Sequence, residues 1–237
     1  MAEDYQLKDF QNVLNYTFKN PGLLVRALTH SSYTNEMNAG RHPSPEDNNE
    51  RLEFLGDAVL ELVISEYIYN TYPELTEGEM TKLRASVVCE ATLSEAAKAL
   101  EMGRNMLMGR GEERTGGRGR GSILADCFEA LAGAIFTDGG FAPAKDYIMR
   151  NLRDIVHERR ASFMNSDYKT SLQEAIQRFS KEPLEYTVID EVGPPHDRVF
   201  VVRLTHAGKT LSTGRGRSKK EAEQNCAKKA LEERDNS

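Results

Sequence analysis

Residues 49–61, NERLEFLGDAVLE, set four carboxylates, Glu50, Glu53, Asp57 and Glu61, at intervals of three, four and four inside an apolar run. That spacing predicts a helix with all four acids on one face. Like charges so placed cost a few tenths of a kcal/mol per pair, roughly, on an exposed helix, and more once desolvated. The rest of the segment (Leu52, Phe54, Leu55, Val59, Leu60, Leu62, Val63, Ile64) is apolar nearly all round, as in a packed helix. Spacing alone leaves two readings open. The stripe is either the solvated face of an amphipathic helix or one wall of a site for a hard cation, whose charge would offset the repulsion.

A second acidic pair, Asp126 and Glu129, stands at i,i+3 in SILADCFEALAGAIF, a run otherwise small and apolar enough for close packing. If the two helices cross, four carboxylates converge. Glu77 and Glu112 are further acidic candidates. No Ser, Cys or Thr sits in a recognisable pairing with a His, so the acids point to metal-activated water rather than a covalent intermediate. A di-iron bundle would need Glu-x-x-His pairs, but three residues beyond Glu53 and Glu129 stand Gly56 and Ala132. The three cysteines, Cys89, Cys127 and Cys226, are far apart and form no CxxC pair, which makes them small core residues and not a disulfide or zinc set.

Along the chain, apolar positions recur at three and four through LLVRALTHSS, ERLEFLGDAVLELVISEYIY, EGEMTKLRASVVC, ATLSEAAKAL, SILADCFEALAGAIF and FAPAKDYIMRNLRDIVHERR, predicting a helical first part. Pro21-Gly22, Tyr72-Pro73, Gly139-Gly140 and Pro143 punctuate it, and Thr76 to Glu79 reads as a capping box. Two polar stretches, 35–49 and 109–121, read as mobile surface loops. The helical pattern lapses near 161–168. Beyond it come a helix at about 169–180, strand-like runs EYTVIDEV, RVFVVRLTH and KTLSTGRG, and a closing helix from Ser218 to about Arg234. The expected architecture is therefore mainly α: an all-helical domain over 1–160, a linker at 161–166, and a small α+β domain of order α-β-β-β-α over 167–237.

Charge divides along the same line. Residues 1–166 carry 18 Lys+Arg against 25 Asp+Glu, a net of −7, whereas 167–237 carry 13 against 12, a net of +1. Within 209–220, KTLSTGRGRSKK, five basic residues stand with no acid, a local patch that the overall net charge of −6 conceals. No apolar run approaches the roughly 18 residues of a membrane span, and the acidic N-terminus lacks a secretion signal, so a cytoplasmic location is expected.

The segment NERLEFLGDAVL at 49–60 resembles the signature of the ribonuclease III family. LTHSS at 28–32, EGEMTKLRASVV at 77–88 and SILADCFEALAGA at 122–134 extend the resemblance to the bacterial two-domain form over almost the whole chain. It implies a double-strand-specific endoribonuclease, with Glu53, Asp57, Asp126 and Glu129 as ligands of catalytic Mg²⁺ and Glu50, Glu77 and Glu112 assisting at the site or contacting RNA. Mn²⁺ would be accepted by the same oxygens, and no small-molecule cofactor is implied. It further implies a homodimer into whose partner subunit Phe54 inserts, 5′-phosphate and 3′-hydroxyl ends with short 3′ overhangs, and roles in rRNA precursor and mRNA processing. The residue before SILAD is Gly121, where many bacterial members carry an acid; Ser122 can still act as N-cap. The 35–49 loop also looks longer than in some relatives.

DYKTSLQE at 167–174, GPPH at 193–196 and SKKEAE at 218–223 resemble the three contact elements of a double-stranded-RNA-binding domain. A-form RNA offers 2′-hydroxyls across a shallow minor groove and phosphates across a deep major groove. Thr170, Gln173, Glu174 and Gln177 on one helix face suit the first, together with His196 on its turn. Lys219 and Lys220 at a helix N-terminus suit the second. The implied partner is double-stranded RNA, with no membrane. The alternative is a catalytically silent double-stranded-RNA-binding dimer, against which the intact carboxylates argue.

Overall fold

The computed structural model describes residues 2–38, 44–166, 168–194 and 198–235. It divides into two compact units, 1–159 and 160–237. The first is built from α1 (Ala2–Leu14), α2 (Pro21–Ala27), α3 (Ser31–Met37), α4 (Glu50–Thr71), α5 (Glu77–Val87), α6 (Glu90–Ala99), the short α7 (Met102–Asn105) and α8 (Arg110–Arg114), a 3₁₀ turn at Gly117–Gly119, α9 (Gly121–Gly139) and α10 (Phe141–Ser166) up to residue 159, the rest of α10 falling in the second. The second holds α11 (Tyr168–Gln177), β1 (Leu184–Val192), β2 (Val199–His206), β3 (Lys209–Gly216) and α12 (Lys219–Asp235). No helix among the described residues is long and apolar enough to cross a membrane.

The first unit is organised around α9. Ile123, Leu124, Ala125, Cys127, Phe128, Ala130, Leu131, Ala132, Ala134 and Ile135 are all buried, so this helix is walled in on nearly every side. Its small side chains let α4 approach closely, and α4 contributes Leu52, Val59, Leu60, Val63, Ile64 and Ile68 to the same core. Each fully buried Leu or Ile there contributes about 1.5–3 kcal/mol. The capping box at the start of α5 is present: the Thr76 N–H donates to Glu79 Oε2 at 2.7 Å, and the Glu79 N–H donates to Thr76 Oγ1 at 3.4 Å.

Four local expectations are corrected. LLVRALTHSS is not one helix: α2 stops because Leu107 N–H donates to the Leu28 carbonyl at 2.8 Å and His30 N–H to the Leu107 carbonyl at 3.0 Å, after which His30 caps α3. The stretch 109–121 is ordered as α8 and the 3₁₀ turn, fastened by Arg118 Nη1, which donates to the carbonyls of Gly103 and Met106 at 2.8 Å each. Ser122 is not the cap of α9, which starts at Gly121 after an extended Arg120 with no side-chain cap. The helical pattern does not lapse at 161–166, which continue α10. In 35–49, Asn48 and Asn49 are buried, and residues 39–43 lie outside the described residues.

In the second unit the sheet is antiparallel with order β1-β2-β3. Val202 pairs with Val188 on one side and Gly214 on the other. Ala207 (φ 52°) and Gly208 (φ 72°) both adopt the left-handed conformation that a two-residue hairpin needs, joining β2 to β3. Leu172, Leu204, Cys226, Ala227 and Ala230 form the core between α11, α12 and the sheet. All three cysteines are free, with Cys127 and Cys226 buried and Cys89 half-buried.

Candidate metal centre and nucleic-acid interface

The crossing of α4 and α9 is as close as backbone allows. A Cβ on Gly56 would overlap the Glu129 carbonyl oxygen, and one on Gly133 would overlap the Leu52 carbonyl oxygen. The contact fixes the register of the two helices, so that the acids one turn away from it meet. One carboxylate oxygen each from Glu53, Asp126 and Glu129 lies within 4.8 Å of the others. All three side chains are half-buried.

The electrostatics of this trio are unfavourable without a cation. Burial first, then the charges of Asp126, Glu50 and Asp57, push the Glu53 carboxyl up to about 7. Burial, then Asp57, Glu53 and Asp126, push Glu129 up to about 8. Asp126 is raised by burial and by Glu90, against the lowering effect of His30. Among the described residues no Lys or Arg forms an ion pair with any of the three. Half-buried carboxylates with no Lys or Arg partner among the described residues, offering only oxygen donors, fit a hard divalent cation.

The structure gathers the predicted residues unevenly. Asp57 is exposed and outside the close trio, though its charge acts on Glu53 and Glu129; Glu50 is likewise an exposed neighbour. Glu77 is not brought to the cluster within the chain. It accepts from Thr81 and lines a cavity of about 450 Å³ with Ser65, Tyr69 and Arg84, further along α4. Glu112 is held by Arg120 at 2.6 Å, so it faces its own loop. Phe54 is 82% exposed, so it takes no part in the core of this chain.

Two further residues, His30 and Glu90, act on Asp126 through their charge, with opposite signs. His30 is held by Ser32, whose N–H donates to Nδ1 at 3.2 Å and whose Oγ lies 2.8 Å from the same nitrogen. Glu90 is the first residue of α6. The only sequence signal for either was proximity to a family-like stretch, THSS for one and the end of RASVVC for the other.

In the second unit Thr170, Gln173, Glu174 and Gln177 are all exposed on α11 at helical spacing, with Leu172 buried behind them. Lys219 and Lys220 are exposed at the start of α12, where the Glu221 N–H donates to Ser218 Oγ at 3.1 Å and the Arg217 N–H to Glu221 Oε2 at 2.7 Å. Lys169 ties the module together: it pairs with Glu223 at 2.7 Å and lies 4.3 Å from the Tyr186 ring centroid. His196 lies outside the described residues.

Comparison with known proteins matches residues 20–155 to the ribonuclease-III-like family and residues 168–234 to the double-stranded RNA binding motif. The chain is 49% identical over 230 residues to ribonuclease 3 of Desulforamulus reducens, covering 97% of this chain and 92% of that one. Against ribonuclease 3 of Clostridium acetobutylicum it is 46% identical over 236 residues, covering 100% of both. A crystal structure of the nuclease domain of ribonuclease III from Campylobacter jejuni superposes with a TM-score of 0.55 at 40% identity, over 62% of this chain and 93% of that one. A helical carboxylate centre and a double-stranded RNA binding motif in one chain define a class, the metal-dependent nucleases of duplex RNA. The chain belongs to the ribonuclease III family, and it is a double-strand-specific endoribonuclease.

Proposed function

We propose that Glu53, Asp57, Asp126 and Glu129 hold the catalytic divalent ion, one or two Mg²⁺ with Mn²⁺ as a substitute, and that this cluster carries the hydrolysis. The observation behind the reading is the half-buried trio on two helices locked at Gly56 and Gly133. When bound, the ion supplies Lewis acidity and makes water a usable nucleophile near neutral pH. The residues themselves supply position and charge. Glu53, Asp126 and Glu129 present oxygens preorganised by backbone contact, Asp57 adds its oxygens from the exposed rim, and Glu50 beside it draws the cation in.

Water adds to phosphorus and the bond to the 3′ oxygen breaks, leaving a 5′-phosphate on one fragment and a 3′-hydroxyl on the other. Thr170, Gln173, Glu174 and Gln177, with His196, read the minor groove, and Lys219 and Lys220 bind phosphates across the major groove. Exposed Phe54 serves a homodimer in which two centres cut opposite strands at a short offset, leaving 3′ overhangs; the region involved in dimer formation is the subject of the Campylobacter jejuni nuclease-domain structure. Glu77 and Glu112 act on RNA or across that dimer and not as ligands of their own chain's cluster. The enzyme works in the cytoplasm on rRNA precursors and mRNA. The test is end analysis of products from a long RNA duplex with Mg²⁺, Mn²⁺ or chelator. Staggered 5′-phosphate, 3′-hydroxyl ends with either metal and none with chelator are expected. Cyclic or 3′-phosphate ends would overturn the mechanism.

A further inference from the structure

The first amides of a helix have no partner within it. At α11 one of them is met from α12, where Gln224 Oε1 accepts from the Lys169 N–H at 3.1 Å. Gln224 is buried, so its amide has to find partners inside the protein. Its neighbour Glu223 takes the Lys169 side chain, with Nζ donating to Oε2 at 2.7 Å. Lys228 Nζ lies 5.4 Å from the Tyr168 ring centroid. The first two residues of α11 are thus tied to α12 by three contacts. α12 is itself seated on β3 at two glycines. A Cβ on Gly214 would overlap the Cys226 backbone nitrogen, and one on Gly216 would overlap that of Ala222.

We infer that Gln224 and Glu223 are positioning residues for duplex recognition: from α12 they hold the first turn of α11, and so fix the side chains that read the minor groove relative to the lysines that bind phosphates. This rests on the reading of α11 and α12 as the two RNA-contact elements. Thr170 directly follows Lys169, and Lys219 and Lys220 open the helix that carries Glu223 and Gln224. The grooves of A-form RNA stand at a fixed spacing, so a reader of duplex shape needs its contact elements held rigidly. A binding constellation works when its members are kept within about 0.5 Å of the productive geometry. The rival role is structural, with both residues adding only to the stability of the small domain. Plain charge gives a second contrast. By electrostatics alone, losing the Glu223 carboxylate tightens duplex binding and gaining one at 224 weakens it, whereas positioning predicts the opposite ranking.

The experiment is steady-state cleavage of an RNA duplex by the full-length protein. Equilibrium binding of that duplex and of a DNA duplex of the same sequence is measured in chelator, with the melting temperature alongside. Gln224→Met keeps side-chain length and helix propensity but removes the acceptor. It should raise KM for duplex RNA about 5- to 20-fold with kcat unchanged, and lower the preference for RNA over DNA by a similar factor. The salt slope should stay that of the parent, because Lys219 and Lys220 are intact. Gln224→Glu, which keeps an acceptor oxygen, should remain within about twofold of the parent. Glu223→Ala should weaken RNA binding about 2- to 5-fold. Thr170→Ala combined with Gln173→Ala is the reference, and if that protein keeps the RNA preference, the reading of α11 itself is wrong. If the reference loses the preference while Gln224→Met changes only the melting temperature, or weakens RNA and DNA duplexes equally, the positioning role is overturned. A Gln224→Glu protein as weak as Gln224→Met would overturn it too. Should Gln224→Met fail to fold, Glu223→Ala decides, and tighter or unchanged RNA binding by that variant would contradict the role.

Discussion

Gly56 and Gly133 face each other across the α4–α9 crossing, each so close to the other helix that a single methyl would overlap a backbone carbonyl, that of Glu129 in one direction and Leu52 in the other. Both partners of this contact belong to the site or its immediate neighbours. The crossing that builds the core is therefore also what sets the separation of the carboxylates.

Gly133→Ala follows directly. An alanine in a helix interior gains about 1 kcal/mol over glycine from propensity, but here the methyl meets a carbonyl oxygen and its carbon, which cannot swing aside. Overpacking of this kind costs typically about 1–3 kcal/mol, and more where backbone must move. We expect a net loss of about 2 kcal/mol or more in urea unfolding, with weakened metal binding. Unchanged stability would mean that the helices are not locked at this point.

Stability without metal should fall as pH rises. Glu53 and Glu129 have folded-state values of about 7 and about 8, above the ordinary carboxylate range near 4.5. A raised carboxyl favours folding fully below its unfolded value, and that contribution is lost as pH climbs through the folded one. The window is therefore from about pH 4.5 to about pH 8. In chelator, the melting temperature should drop across this window, and Glu129→Gln should flatten the drop by removing one charge from the trio. A metal-free melting temperature that is flat there, or a variant as steep as the parent, would contradict the electrostatic account.

Duplex binding should depend strongly on salt because phosphate contacts release counterions. Replacing Lys219 and Lys220 by Ala together should weaken binding and lower the magnitude of the log–log salt slope by roughly one to two. The preference for duplex RNA over duplex DNA should survive if it rests, as proposed, on 2′-hydroxyl contacts of α11. Binding measured from low to moderate salt decides it, and an unchanged slope would remove these lysines from the phosphate interface.

What could be read from sequence is what local pattern controls. The acids of α4 recur at helical spacing, the Thr76–Glu79 box is a four-residue signal, and the hairpin at Ala207-Gly208 bounds β2 and β3 where turn chemistry says it should. The sequence signal for α1 is the repeat of Leu7, Phe10 and Leu14 at three and four. Long-range pairing was not legible. The break after Leu28 exists because Leu107 bonds to it, and the order of the 109–121 stretch depends on Arg118 reaching Gly103 and Met106. The same limit applies to the site. Spacing put Asp57 on the same face as Glu53, but only the crossing geometry shows Glu53 inside the trio and Asp57 at the rim, and Glu77 and Glu112 turned elsewhere. Glu90 and His30 lie far from Asp126 in sequence and carry no spacing that would connect them to it.

The most direct test of the central claim is cleavage of a long RNA duplex by Glu129→Gln, with duplex binding measured on the same preparation. The substitution keeps the shape of the side chain and removes one charge from the trio. The account predicts that cleavage in Mg²⁺ falls by about three orders of magnitude or more, as for loss of an essential group, while duplex affinity changes less than about twofold. Cleavage at a normal rate with binding intact would show that the carboxylate cluster is not where the phosphodiester is cut.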